Sequence, residues 1–408
     1  MSLRSKLSRL ESGVSAPSAK ADLLADLRAR IEATLARTAR RAPAPPPPVD
    51  TVDLPFATEQ TPLGPLHVRV QRLSFAHRTG RMPLAPARDA SAEILALLAL
   101  DPAIATCDPR SAVYLDTETT GLSGGAGTVA FLVGLGWWDE QGYVLEQLLV
   151  RALGEEAPML ARVSERLAGA SMIVTFNGKS FDMPLLRTRF VMARMDPPAA
   201  PPHLDLLHVA RRVHREREGL GCRLVTIERD VLGFVRHDDV ESGDVSACYL
   251  HFLRTGDARA LLGVIEHNAW DVVAMAALVG LYGQPFEGGL VPTDLVGVAR
   301  TLRRAGALER ALETAHVAVE REASPESLRA RAEIAKACGD RARALEDFER
   351  IAATVDDPAV RLELAKLYEH WVKQPTRALE WAQRGTGEDE ERARRRAARL
   401  MRKAEKAR

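Results

Sequence analysis

The run Val113-Tyr114-Leu115-Asp116-Thr117-Glu118-Thr119-Thr120-Gly121-Leu122 constrains the chain more than any other stretch, because it ends an apolar strand on two carboxylates. Residues 113–115 have the β-branched and aromatic character of a buried strand, and Gly121 closes it. Asp116 and Glu118 stand two apart on an extended chain, so both side chains point to one face. Like charges held that close repel, and a divalent cation is the usual way to make the pair tolerable. Taken alone, the segment also fits an Asp-x-Glu turn on the surface.

A chain of 408 residues with 46% hydrophobic content is long enough for two or three domains with ordinary cores. Its 56 basic and 55 acidic residues balance to +1, so only a local patch, not the whole charge, can point to nucleic acid. Cys107, Cys222, Cys248 and Cys338 form no CxxC pair, which argues against a zinc site or a disulfide framework and fits a reducing cytoplasm. The apolar runs at 94–100 and 129–138 are too short to span a bilayer, and the N-terminus lacks an apolar signal core; neither a membrane role nor export is expected.

Within residues 1–50, Leu24, Leu27, Ile31 and Leu35 recur at helical spacing among arginines, which predicts a basic amphipathic helix over 1–41, followed by a stiff proline-rich spacer at 43–48. Residues 51–110 hold a predicted strand at 66–70 and a helix near 92–100, with no chemistry of their own, and are taken as an N-terminal extension of the next domain. From 111 to 288 the pattern runs through strands at 113–115, 129–136 and 143–150, joined by linkers of hairpin type and therefore expected to be antiparallel neighbours. A helix near 158–168, a buried strand at 172–176, a helix at 183–194 and a short strand at 203–206 follow, then helices at 224–232, 245–253 and 261–281. That order predicts an α/β fold with a mixed sheet.

Residues 292–386 turn to Ala, Leu, Arg and Glu and repeat. Ala311-Leu312-Glu313, Ala344-Leu345-Glu346 and Ala378-Leu379-Glu380 stand 33 and 34 residues apart (344 − 311 and 378 − 344), the period of tetratricopeptide-like helical hairpins. Gly306, Gly339 and Pro375 precede them, as turns between paired helices require. Residues 387–408 pass from an acidic run to a basic helical tail, normally a solvated end and also a possible phosphate contact.

Two further segments carry acids to the ends of elements. Asn177-Gly178-Lys179-Ser180-Phe181-Asp182 follows a buried strand, and Asp182 opens a helix ahead of Pro184, where a plain N-cap is the competing reading. His267-Asn268-Ala269-Trp270-Asp271 lies within a long apolar helix, where the i, i+4 spacing puts His267 and Asp271 on one face and an acid beside the core needs a partner or a metal.

Asp116-x-Glu118, Asn177-x-x-x-Phe181-Asp182 and His267-x-x-x-Asp271, in that order, resemble the three motifs of the DEDD exonucleases, which have a ribonuclease H-like fold. Residues 108–285 more closely resemble the YprB-like ribonuclease H-like family, in which such a domain precedes tetratricopeptide repeats; His203-Leu204-Asp205-Leu206-Leu207 and Leu224-Val225-Thr226-Ile227-Glu228-Arg229 add to that match. The resemblance implies a ribonuclease H-like mixed sheet flanked by helices, an all-α repeat domain after it, and four metal ligands at Asp116, Glu118, Asp182 and Asp271. His267 falls where the family keeps the residue that orients or deprotonates the attacking water. The wider superfamily spaces that residue differently before its last aspartate, but here helix geometry still sets His267 beside Asp271.

The resemblance implies a DEDD-type 3′–5′ exonuclease, a phosphodiester hydrolase acting on single-stranded or 3′-ended DNA in repair or processing, with two Mg2+ or Mn2+ ions held by the oxygen ligands. Lys179 and Arg223 are candidates for the substrate backbone; Thr117, Thr119 and Leu122 flank the first acids and are candidates to shape the terminal-nucleotide pocket, and Asn177, in the second motif, is a further candidate contact to nucleic acid. Asp205 is expected to be a supporting or structural acid. The competing readings are a ribonuclease or structure-selective endonuclease of the same fold, since no reader of a 2′-hydroxyl is visible, and an inert scaffold whose repeats bind nucleic acid or a partner such as a helicase.

Overall fold

The computed structural model describes residues 53–121, 127–217, 219–241, 243–285 and 289–407. The amphipathic helix expected in 1–41, the proline spacer, Leu122 and Arg408 lie outside the described residues.

A seven-stranded mixed sheet forms the centre. Its strands are β1 (Ala57–Thr61), β2 (Gly64–Leu73), β5 (Ala112–Thr119), β6 (Ala130–Trp138), β7 (Tyr143–Leu149), β8 (Met172–Thr175) and β9 (His203–Asp205), in the order β1-β2-β7-β6-β5-β8-β9. A separate hairpin pairs β3 (Arg78–Thr79) with β4 (Met82–Pro83). β5, β6 and β7 are antiparallel neighbours, as their linkers led one to expect, while β8 and β9 run parallel to β5. The extension at 51–110 does more than flank this sheet, because β1 and β2 complete its edge against β7.

Among the described residues, fourteen α-helices surround the sheet and follow it: α1 (Ala92–Ala99), α2 (Ala157–Ala168), α3 (Asp182–Met192), α4 (Leu206–Val213), α5 (Leu224–Ile227, continued by a π turn at Glu228–Leu232), α6 (Val245–Thr255), α7 (Arg259–Gly283), α8 (Pro292–Arg304), α9 (Leu308–Arg321), α10 (Pro325–Ala337), α11 (Arg341–Ala352), α12 (Pro358–Leu367), α13 (Pro375–Gln383) and α14 (Glu390–Lys406). The alternation of β5 sorts them onto two faces. Ala112 and Tyr114 share a core with α1, α4 and α7, while Val113 and Leu115 share another with α2 and α3. Asp116 and Glu118 continue the first parity and so turn toward α7; Thr117 continues the second.

α7 comes unusually close to the sheet, and two glycines of β6 allow it. A Cβ on Gly134 would stand 2.5 Å from Asn268 Oδ1 and 2.8 Å from Val272 Cγ2, and one on Gly136 would meet Tyr143 and Val272. Gly134 is the register partner of Asp116, so the near approach delivers the helix to the first carboxylate. Among the described residues α7 alone is long and apolar enough to cross a membrane, by length and composition, yet 72% of its most apolar window is buried inside the fold. Apolarity on all sides is what a helix packed in a protein core requires.

α8 joins the helical region to the sheet domain through buried polar groups. Asp294 accepts hydrogen bonds from Arg217 Nε at 2.7 Å and pairs with His214 Nδ1 at 2.9 Å, and the other ring nitrogen of His214 meets Tyr282 Oη at 2.9 Å. Beyond it the helices pack as consecutive neighbours, and Ala311, Ala344 and Ala378, the repeated alanines, are all fully buried. The basic tail is largely neutralised from within. Glu369, buried beside α12, takes Arg399 and Lys403, and Glu388 takes Arg396. These cations hold the Glu369 carboxyl down to about 2, although its burial works in the opposite direction.

Candidate active site: four carboxylates in one cleft

Asp116, Glu118, Asp182 and Asp271 line one cleft of about 770 Å3, together with His267, Thr117, Thr119, Gly121, Asn177 and Phe181. Three elements deliver the acids. β5 carries Asp116 and Glu118 at its end, where the pairing with β6 shifts register between Glu118 and Thr119, an irregularity of the kind that re-aims side chains at sites. Asp182 comes from the opposite face of the sheet as the first residue of α3, and Phe181, not Asp182, occupies the cap position. The carboxylate of Asp182 therefore remains with the cleft, where Thr117 Oγ1 donates to its Oδ1 at 2.6 Å.

The loop between β8 and α3 is bent so that Asn177 has a left-handed φ of +72°, a conformation asparagine tolerates better than most residues. Asp205 fixes it, accepting from the backbone amides of Asn177 at 2.8 Å and Lys179 at 3.1 Å while also capping α4 through Leu207. Asp205 is thus a supporting acid, as the sequence suggested.

From α7, Asn268 donates through Nδ2 to Asp116 Oδ2 at 2.8 Å. Its orientation is set behind it, because Gln147 Nε2 donates to Asn268 Oδ1 at 2.9 Å and Arg69 donates to Gln147 Oε1. His267 Nδ1 lies 2.7 Å from Asp239 Oδ1 and 3.3 Å from Arg236 Nη1, which can only donate; the much shorter carboxylate contact places the proton on Nδ1. In the neutral ring Nε2 is then the basic nitrogen, 3.8 Å from Asp271 Oδ2. Asp271 Oδ1 is engaged by Arg236, which also meets Glu228 and Asp239.

The electrostatics are those of acids forced together. Burial, followed by Asp271 and Asp182, raises Asp116 well above the ordinary carboxylate range, with Asn268 and Arg236 opposing. Burial and then Asp116, Asp271 and Asp182 do the same to Glu118. Burial first of all lifts Asp182 to about 6, against the Thr117 hydrogen bond. The donor chemistry suits a hard divalent cation, since the cleft offers carboxylate oxygens and no thiolate. Among the described residues, however, no group of three or more His, Cys, Asp or Glu side chains is already drawn into metal-holding geometry. Asp271 is turned onto Arg236 and Asp182 onto Thr117, so the acids share a cleft without forming a closed cage.

Of the residues expected to meet nucleic acid, Thr117 and Asn177 line the cleft, and Lys179 and Arg223 do not. Lys179 Nζ faces Asp101 at 3.6 Å, and Arg223 is an exposed residue at the cap of α5. Arg236, Asn268, Asp239 and Glu228 were not assigned roles from sequence. Asn268 lay within the quoted motif, and its place one residue after His267 on a helix pressed against Gly134 was the available signal. Arg236 stands in an aperiodic turn region that gave none.

A mixed sheet with β8 parallel to β5, and the long helix α7 packed across β5, β6 and β7, is a ribonuclease H-like arrangement. Residues 113–282 match the RNase_H superfamily, and the chain carries a domain of that superfamily there. The chain is also 36% identical over 170 residues to the uncharacterized protein YprB of Bacillus subtilis (strain 168), a match covering 40% of this chain and 40% of that protein. It thus spans about two fifths of the length of the curated relative it matches.

Proposed function

We propose that the cleft is the active centre of a metal-dependent nuclease, a 3′–5′ exonuclease acting on single-stranded or 3′-ended DNA in repair or processing. The observation that carries this reading is the convergence of Asp116, Glu118, Asp182 and Asp271 on one cleft, where burial and the neighbouring cleft acids raise Asp116 and Glu118 and burial raises Asp182. Groups so perturbed, gathered in a cleft, mark functional sites more often than structural ones. The four acids would hold Mg2+ or Mn2+, two ions in the reading by resemblance. Bound there, such cations neutralise charge on a phosphodiester and lower the pKa of water.

The chain's own residues divide the remaining work. Asp239 keeps the proton of His267 on Nδ1, so that Nε2 can accept one from an attacking water. Asn268 and Thr117 hold Asp116 and Asp182 by hydrogen bonds and so limit their rotation. Phe181, 55% exposed on the cleft wall, offers a ring face on which a base can stack. No lysine or arginine lines the cleft among the described residues, so backbone contacts from Lys179 or Arg223 require the strand to run past its rim. The helices from α8 to α13 are read as tetratricopeptide-like repeats that receive a protein partner such as a helicase, in a cytoplasmic setting.

The test uses 3′-labelled and 5′-labelled single-stranded and duplex DNA and RNA, with Mg2+, with Mn2+ and with chelator, beside Asp116→Ala. Stepwise, metal-dependent shortening of DNA that disappears in the variant is expected. Cleavage surviving in Asp116→Ala, or no cleavage of any substrate by the wild type, would remove the nuclease reading; preference for RNA would replace the DNA assignment.

A further inference from the structure

We propose that Arg236 is the positioning residue of this centre: its guanidinium holds Asp271 by one oxygen, leaving the other turned to the cleft, and anchors it to the π turn through Glu228. The inference rests on reading the four acids as a metal centre, and it concerns a residue that does not line the cleft itself.

Arg236 has a side chain only 2% exposed, and its partner Glu228 is fully buried. A guanidinium placed there must spend its donors on the protein, and it does so on both sides. Nε and Nη2 donate to the two oxygens of Glu228 at 2.6 and 2.8 Å, a forked pair that fixes the plane of the group. Nη2 also donates to Asp271 Oδ1, and Nη1 points to Asp239 Oδ2 at 3.4 Å. The same guanidinium lies 5.5 Å from the centre of the Trp270 ring. Arg236 therefore touches the last candidate ligand and lies beside the candidate base, its Nη1 standing 3.3 Å from His267 Nδ1 as well as meeting Asp239, while it bonds to no other cleft acid.

The fold makes this contact rigid. Glu228 begins the π turn at Glu228–Leu232. The amide of Phe234 closes back on Glu228 O at 2.9 Å, and Gly233 ends the turn in a left-handed conformation. Arg81, in the β3–β4 hairpin, grips the same turn: its amide donates to Leu232 O and its guanidinium to Val231 O. A segment pinned by a second element can hold an acid on α7 in one rotamer, and supporting residues of this kind set how well ligands are presented. Only one oxygen of Asp271 is taken. The other, Oδ2, faces the His267 Nε2 side of the cleft. A competing picture makes the guanidinium a stand-in for the cation, which would have to be displaced before metal binds. The fully buried fork to Glu228 argues against a group built to leave.

The two pictures predict opposite signs. Titration calorimetry with Mn2+ on the full chain, for wild type, Arg236→Lys, Arg236→Gln and the paired Arg236→Gln/Glu228→Gln, reads the difference without any need for substrate. The positioning role predicts Mn2+ affinity weakened about 10- to 100-fold in Arg236→Gln, with an intermediate loss in Arg236→Lys, which keeps the charge but not the fork. The paired variant removes the buried carboxylate along with its cation, so it answers if the single glutamine variant does not fold. It is expected to match the melting temperature of the wild type in chelator within a few degrees while still binding Mn2+ weakly. Unchanged or tighter Mn2+ binding in the Arg236 variants overturns the positioning role alone. Absence of Mn2+ binding by the wild type overturns the metal-centre reading on which it stands.

Discussion

Neutralising one cleft acid should stabilise the metal-free protein, and Asp182→Asn shows the effect most cleanly. Asp182 is 7% exposed, its carboxyl is raised from 3.8 to about 6, mainly by burial, and asparagine keeps an oxygen to accept the Thr117 hydroxyl. A carboxyl raised in the fold favours folding in its protonated form. Its contribution is therefore fully present below pH 3.8 and is lost as pH rises through about 6. At about 1.4 kcal/mol for each tenfold change, the charged form destabilises the fold by about 3 kcal/mol above pH 7, and by less than ~1 kcal/mol at pH 4. Unfolding entropy of about 2.1 cal/mol/K per residue turns the larger figure into a rise in melting temperature of roughly 4 °C. Differential scanning calorimetry in chelator, on wild type and variant at pH 8 and pH 4, measures it. Taking the difference between the two proteins cancels other titrations in that window, such as His203, whose ring burial pushes down to about 4. With Mn2+ added at pH 8 the order should narrow or reverse, because the wild type gains from binding what the variant cannot. A variant less stable than wild type at pH 8, or a gain that is the same at both pH values, would refute the cost of a buried charge at this position.

Two other perturbations test the local geometry. His267→Ala should lower the cleavage rate by about 10² to 10⁴ with Mn2+ affinity retained, measured by single-turnover assays and calorimetry; wild-type turnover removes His267 from the chemistry. Gly134→Ala places a Cβ 2.5 Å from Asn268 Oδ1 and should cost about 1–3 kcal/mol by pushing α7 from the sheet, whereas Gly121→Ala, with nothing within 4 Å, should leave the melting temperature unchanged.

What could be read beforehand follows from how local each signal is. The strands β5, β6 and β7 and the shared face of Asp116 and Glu118 depend on alternation within a few residues, and helix spacing alone placed His267 beside Asp271. α4 was missed because its eight residues directly follow β9, so Leu206 read as an extension of the strand. The internal ladder behind Asp116, running Arg69, Gln147, Asn268, joins residues up to 199 positions apart (268 − 69) and has no trace in any single segment. Arg236 was invisible for a different reason. A lone arginine in a turn is nearly always a solvated charge, and only the tertiary packing of the π turn against α7 buries it. The same lesson applies in reverse to the basic tail, read as a solvated end or a phosphate contact, where Arg399 and Arg396 are instead taken by Glu369 and Glu388.

The central claim is that these four acids gather a divalent cation, and crystals equilibrated with Mn2+ test it most directly. Anomalous scattering should show manganese in the cleft, ligated by oxygens of Asp116, Glu118, Asp182 and Asp271. A cleft without an anomalous peak at saturating Mn2+, or manganese bound elsewhere with these side chains unmoved, would contradict it.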